Sequence, residues 1–253
     1  MRERLCLAAL LAVLGAGSVH AVEPAAPEVP VVDGYDFTRP RTLVLQRIFG
    51  LAHGVGLLAG VCGDHPEAVE AYERWHSRQQ GMIERVQRDL APGLTDGDAM
   101  HHLASALHLP AALKLDPARR EAACATLPQA LEEPRYELAA RWRLAAAVDR
   151  LSNAGMTEAR FVVCRGRADA AQAGALDAAW TRWGERHAEA VSAARALVSA
   201  RWVATEMGGS IDDWLRTVRR YGRRLADGPG CTGLPEWLES PAADPGHAFG
   251  NTP

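Results

Sequence analysis

Lysine and an excess of charge are two things that this chain largely lacks. Lys114 is the only lysine among 28 basic residues, so arginine supplies nearly all of the positive charge. Together with the abundance of alanine, this bias is typical of a GC-rich bacterial genome, and we draw no function from it. The formal net charge is −3, which predicts no general attraction to nucleic acid or to an anionic membrane.

The short motifs of several enzyme classes are also absent. There is no Gly-x-Ser-x-Gly elbow, and no Pro-Cys-x-x-Cys follows His187-Ala188-Glu189, which excludes the serine hydrolase and nucleobase deaminase classes. Gly54-x-Gly56-x-x-x-Gly60 has the wrong spacing for a dinucleotide loop. No Cys-x-x-Cys redox pair occurs. The sequence therefore contains no residue set that specifies a reaction, and we expect neither catalytic residues nor a cofactor.

Residues 1–21 have the pattern of a secretory signal. Arg2 and Arg4 precede an apolar run over 5–17, and Val19-His20-Ala21 offers small residues for cleavage. The run is shorter than the roughly 20 residues that a membrane span needs. We therefore expect a periplasmic or secreted protein with no stable membrane span after cleavage.

Two sequence patterns occur twice, in the same order. Residues 124–131, CATLPQAL, return as residues 231–238, CTGLPEWL, at an offset of 107. Residues 74–78, RWHSR, return as 182–186, RWGER, at an offset of 108. One further cysteine precedes each tryptophan. This order predicts an internally duplicated chain.

The duplication selects one disulfide pairing among the three that four cysteines allow. Equivalent positions should form equivalent bonds, which predicts Cys62–Cys124 and Cys164–Cys231. An oxidising compartment favours both bonds. Because the arginine–tryptophan motif recurs, we expect Trp75 and Trp183 to be core residues covered by Arg78 and Arg186; a carbohydrate or anion contact is the alternative.

Apolar periodicity predicts an all-α fold, a bundle of two similar, disulfide-stapled helical units packed together. We expect a signal peptide over 1–21, an extended lead-in over 22–40, unit 1 over 41–131, unit 2 over 132–239 and a disordered tail over 240–253. The predicted helices cover 41–61, 66–90, 98–109, 117–124, 134–153, 170–205 and 211–226. Strand-like alternation is confined to residues 160–164.

The last predicted helix has a basic face. Its five arginines fall at i, i+3, i+4, i+7 and i+8: Arg216, Arg219, Arg220, Arg223 and Arg224. Leu215, Val218 and Tyr221 lie on the opposite, apolar side. An arginine stripe binds carboxylates through paired donors, so we expect a protein partner with an acidic surface. A solvated helix face is the alternative interpretation.

A second candidate site is a histidine cluster. Asp98, His101, His102 and His108 offer ligands along one predicted helix, although a zinc site needs four ligands, or three and a water. The sequence thus favours an exported, non-catalytic binding protein of the bacterial envelope, of which an inhibitor or immunity-type partner of a secreted toxin is one form. The alternatives are a metal-dependent hydrolase or metal-binding protein built on this cluster, and a small-ligand or haem carrier with its site between the units.

Overall fold

A computed structural model describes residues 33–205, 208–226 and 231–249, and in these ranges every regular element is helical. The predicted signal peptide and residues 22–32 of the lead-in lie outside the described residues. Eight α-helices follow one another: α1 Pro40–Val61, α2 Pro66–Leu90, α3 Asp96–Ala106, α4 Pro117–Ala130, α5 Leu138–Arg167, α6 Ala170–Ala200, α7 Ile211–Leu225 and α8 Leu234–Glu239. Short 3-10 turns cover Pro134–Tyr136, Trp202–Thr205, Pro241–Ala243 and His247–Phe249. The predicted all-α class is confirmed.

Most helices begin at a local signal in the sequence. Proline occupies the first turn of α1, α2, α4 and α8, where its missing N–H has no helical partner to lose. Thr95, Asp116 and Ser210 cap α3, α4 and α7 by accepting a main-chain N–H. Asp169 and Gln172 form a capping box at the start of α6.

The strand-like segment over 160–164 lies inside α5, so the predicted end of this helix near Asn153 is wrong. The helix runs for 30 residues, and its buried positions continue past Asn153 with Ala154, Ala159 and Cys164. Helix α6 and helix α7 both pack along α5. Tertiary burial on these two sides outweighs the local β-propensity of Phe161 and its valine neighbours.

The helices bury three groups of side chains. One group joins α1, α2, α3 and α4 to the first part of α5, where Leu138 and Trp142 are almost fully buried. The other two groups join the rest of α5 to α6, α7 and α8. Helix α5 therefore contributes to every core, and the described residues form a single compact unit.

Helix α1 is also long and apolar enough to cross a membrane, with 22 residues and a mean hydropathy of 1.4. One third of its most apolar stretch is buried by protein. Leu45, Ile48 and Phe49 each retain only 2% exposure, and the helix packs against α2, α4 and α5. Its apolar composition thus contributes directly to the core.

Two disulfides connect helix ends. Cys62, directly after α1, bonds to Cys124 in α4, and Cys164, near the end of α5, bonds to Cys231. These are the pairs that the repeated order predicts. They span 62 and 67 residues, for which loop-closure entropy implies about 4 kcal/mol of stabilisation each. Two such bonds indicate an oxidising environment.

The predicted burial of the two tryptophans is confirmed. Trp75 in α2 is 0% exposed and Trp183 in α6 is 5% exposed. Trp75 Nε1 donates to the main-chain oxygen of Tyr136 at 3.0 Å, and Trp183 Nε1 donates to that of Ala243 at 2.8 Å. Each indole therefore fixes the 3-10 turn that follows its disulfide, and neither is available as a surface contact.

Residues 240–249 are ordered against the helices, which corrects the predicted disorder of the tail; residues 250–253 lie outside the described residues. Ala243, Pro245 and Phe249 are buried, and the ring of Phe249 lies 4.9 Å from that of Trp142. Asn153 Nδ2 donates to the main-chain oxygen of Pro245 at 3.0 Å. The proline-rich composition predicted disorder. However, apolar side chains at intervals of two to four residues pack against the helices and hold the segment in place.

Candidate functional site

The arginine-bearing helix α7 is held firmly on α5. Leu215 and Val218 are buried, and the backbone of Gly222 lies so close to α5 that a Cβ there would be 2.6 Å from the main-chain oxygen of Met156. A Cβ at Gly155 of α5 would likewise be 3.1 Å from Cγ1 of Val218. Tyr221, predicted on the buried side, is 56% exposed, because the two glycines bring α5 under the Leu215–Gly222 side of α7 only.

Two of the five arginines are neutralised within the chain. Arg216 donates to Asp213 in the first turn of α7, and Arg219 Nε donates to Glu158 of α5 at 3.0 Å. Hydrogen bonds from Ser210 and then Arg216 lower the pKa of Asp213, which keeps its charge in place. Asp213 lies three residues before Arg216 in the same helix, whereas Glu158 reaches Arg219 only through the packing of α5 on α7.

The other three arginines remain exposed. Arg220, Arg223 and Arg224 have no carboxylate partner in the part of the chain that the structure describes. They fall at i, i+3 and i+4, so their guanidinium groups share one side of α7. Within the described ranges, the basic face thus consists of three guanidinium groups without a carboxylate partner, flanked by Arg216 and Arg219, whose charges are already matched.

The candidate metal ligands do not come together. Asp98 accepts from the Thr95 hydroxyl at 2.6 Å in the first turn of α3, His101 is exposed, and His102 is half-buried. His108 lies beyond the helix end with a φ of +53° and pairs with Asp33 at 2.8 Å. Among the described residues, no three His, Cys, Asp or Glu side chains are grouped closely enough to hold a metal ion. The proposed cluster is wrong because α3 ends at Ala106, which turns His108 away.

A cavity of about 400 Å³ lies between α1 and α5. Its lining follows a helical stripe on each: Pro40, Leu43, Val44, Arg47 and Ile48 on α1, and Arg141, Leu144, Ala145, Val148, Asp149 and Ser152 on α5. Thr205, Trp214 and Phe249 complete the lining. The volume is in the range of small-molecule sites, and most of the lining is apolar.

Among the described residues that line this cavity, Asp149 is the one acidic side chain. Burial raises its pKa to about 6, against a hydrogen bond from Asn153 and the charge of Arg150, which both lower it. As a scattered acid it gave no signal in the sequence. The sequence also gave no signal that Arg47 and Arg141 belong to one site, because no local sequence pattern shows that α1 and α5 face each other.

A second groove of about 390 Å³ lies among α5, α6 and α7. Trp180 and Trp183 form part of its wall, with their rings stacked at 4.8 Å, and Phe161 stacks on Trp180 at 4.6 Å. His187 also lines it, and burial is the main cause that lowers its pKa. Glu158 and Arg219, which also line the groove, are paired with each other at 3.0 Å.

No family model, no curated protein and no solved structure matches this chain.

Proposed function

We propose that this chain is an exported, non-catalytic binding protein of the bacterial envelope, which binds the acidic surface of a protein partner through the basic face of α7. The observation that carries the proposal is the set of three exposed arginines, Arg220, Arg223 and Arg224, without a carboxylate partner in the described ranges. An inhibitor or immunity-type partner of a secreted toxin is one form of such a protein.

The charge on this face favours an outside partner. Arg220 and Arg224 lie four residues apart, a like-charge spacing that destabilises a helix by about 0.2–0.5 kcal/mol. Arg216 has the same spacing to Arg220, but Asp213 offsets its charge. Carboxylates of a partner would relieve the repulsion and accept paired hydrogen bonds from each guanidinium group. A specific protein surface is therefore a better match than solvent.

The rigid mounting of α7 also favours binding. Gly222 and Gly155 let α7 approach α5 closely, and Ser210 caps its first turn. Because the backbone under the arginines is fixed before a partner arrives, association has less conformational entropy to lose. On binding, only the exposed arginine side chains of α7 would need to become ordered.

We further propose that the chain arose by duplication of one helical unit and that only the second copy acquired the basic face. Support comes from contacts that recur at nearly the same offset: Trp75 and Trp183, 108 positions apart, donate to the main chain of residues 136 and 243, which are 107 positions apart. The two disulfides have the same order in the chain. Helix α3, which lies in the part of the first copy that corresponds to α7, contains none of the 27 arginines.

Charge reversal tests the partner surface. The triple variant Arg220→Glu, Arg223→Glu, Arg224→Glu leaves the Arg219–Glu158 pair intact. A matched control reverses three exposed arginines on other helix surfaces: Arg88→Glu, Arg143→Glu and Arg201→Glu, with the same change in net charge. The measurement is cross-linking and mass spectrometry of the mature wild type in a periplasmic extract of its own host, followed by binding of the identified protein to both variants.

The proposal requires cross-links that map to α7 and to an acidic surface of one partner, binding by the control, and at least a tenfold loss for the α7 triple variant. Equal binding by both variants overturns it, as do cross-links that map away from α7 or the absence of any partner. Native mass spectrometry of the purified mature chain examines the metal-dependent alternative, since a stoichiometric metal ion would contradict a purely binding role.

A further inference from the structure

The cavity between α1 and α5 has an apolar interior that the proposed partner surface does not use. Its apolar walls come from four elements: Leu43, Val44 and Ile48 of α1, Leu144, Ala145 and Val148 of α5, Trp214 of α7 and Phe249. Ile48 and Phe249 are buried in the core, and Trp214 is half-buried. An apolar chain in this cavity would replace water against these side chains, which is favourable in proportion to the area covered.

Two arginines accompany the apolar walls. Arg47 is exposed and has no ion pair in the described part of the chain, and the exposed Arg141 donates to the main-chain oxygen of Arg135. Each arginine belongs to the cavity-facing stripe of its own helix, Arg47 on α1 and Arg141 on α5. Two guanidinium groups from different helices thus border one apolar cavity.

We propose that this cavity binds an amphiphile with an apolar chain and a carboxylate head group, whose head pairs with Arg47 and Arg141. Guanidinium groups bind carboxylates through two parallel hydrogen bonds, which suits such a head group. The apolar side chains of α1 and α5, with Trp214 and Phe249, cover the chain. The inference is independent of the partner surface, because the arginines of α7 do not line the cavity.

The charge balance of the lining selects an anion. Among the described residues of the lining, Arg47 and Arg141 contribute two positive charges, whereas Asp149 contributes at most one negative charge. When this carboxyl group is ionised, the neighbouring Arg150 offsets part of its charge. The head group of a cationic amphiphile would be repelled by two guanidinium groups, and this repulsion would exceed its attraction to Asp149.

The test is isothermal titration calorimetry of the full mature protein with three probes of equal chain length, the ionic ones below their critical micelle concentrations and the alcohol below its solubility limit. The probes are dodecanoate, dodecanol and dodecyltrimethylammonium, which carry an anionic, a neutral and a cationic head. We expect one dodecanoate per chain, with dodecanol at least tenfold weaker and the cationic probe weaker still, because a charged hydrogen bond is lost.

Two kinds of variant locate the binding. The double variant Arg47→Gln, Arg141→Gln should weaken dodecanoate binding by about tenfold or more and leave dodecanol unchanged. The control Arg88→Gln, Arg143→Gln should change neither. Ala145→Phe, which fills the cavity, should abolish the binding of both probes.

The proposal fails if wild type shows no saturable binding of dodecanoate, if the cationic probe binds more tightly, or if the double arginine variant binds dodecanoate like wild type. The arginine variant keeps the test valid if Ala145→Phe does not fold, because Arg47 and Arg141 are exposed. Loss of binding in the arginine control as well as in the double variant also contradicts the proposed site.

Discussion

Arg78 and Arg186, 108 positions apart, contact their surroundings in the same way. Arg78 donates to the main-chain oxygen of Leu131 and to the carboxylate of Glu132. Arg186 donates to the main-chain oxygen of Leu238 and to the carboxylate of Glu239. Each guanidinium group therefore satisfies a carbonyl at the carboxyl end of a short helix, where a cation is favourable.

The buried tryptophan beside each arginine should dominate the stability of its core. We predict that Trp75→Ala lowers the free energy of unfolding by about 3–5 kcal/mol, because the indole is fully enclosed and its truncation leaves a cavity. Chemical denaturation with circular dichroism measures this. Trp237→Ala, at a half-buried position on α8, should cost less; a larger loss for Trp237→Ala would contradict the assignment of Trp75 to the core.

Gly222 is required by the close crossing of α5 and α7. We predict that Gly222→Ala destabilises the protein by about 1–3 kcal/mol, because the new methyl group would overlap the backbone of Met156. Gly174→Ala on α6 is the control, since no atom lies within 4 Å of its added Cβ. That control should gain up to about 1 kcal/mol of helix propensity. Thermal melts of both variants measure the change in stability. An equal gain in stability for both variants would show that α5 and α7 can separate without cost.

Asp149 should make the protein less stable as pH rises from about 4 to above 6. Its folded pKa of about 6 exceeds the ordinary 3.8, so folding disfavours the ionised form. A pKa raised by about 2 corresponds to roughly 3 kcal/mol without solvent screening, and we expect about 1–2 kcal/mol at this half-exposed position.

The variant Asp149→Asn removes this charge. It should raise the free energy of unfolding at pH 7.5 and change it little at pH 4, as measured by urea denaturation at both values. An equal effect at the two pH values would mean that packing, not ionisation, determines the contribution of Asp149.

His187 should have the opposite effect on pH dependence. Burial chiefly lowers its pKa, while Asp244 acts in the other direction, so folding favours the neutral ring. The stability from this preference is complete above pH 6.5 and is lost as pH falls through 6.5 towards the lowered pKa.

Gln79 lies 108 positions before His187, at the equivalent position of the proposed first copy, and glutamine is therefore a suitable substitute for His187. Its amide donates to Glu137 and accepts from the main-chain N–H of Leu138, with no titration. His187→Gln should therefore reduce the difference in unfolding free energy between pH 7.5 and pH 5.5, whereas His101→Gln, at an exposed position, should leave it unchanged. An unaltered difference in His187→Gln would assign this pH dependence to other groups.

The sequence by itself determined the features that depend on nearby residues or on repeated order. Proline and capping side chains mark the first turns of the helices, because they act on N–H groups within three or four residues. The repeated order of cysteine and tryptophan predicted the pairing Cys62–Cys124 and the burial of Trp75. The spacing of the five arginines in the sequence also predicted that they share one face of α7.

Only the tertiary structure decided which surfaces meet. Packing against α6 and α7 keeps residues 160–164 helical, and burial of Phe249 holds the segment after α8 in place. Glu158 matches Arg219 across 61 positions, and Arg47 joins Arg141 and Asp149 at one cavity. Local patterns could not show these relationships, because helix periodicity determines the direction of a side chain around its own axis but not the helix that it faces.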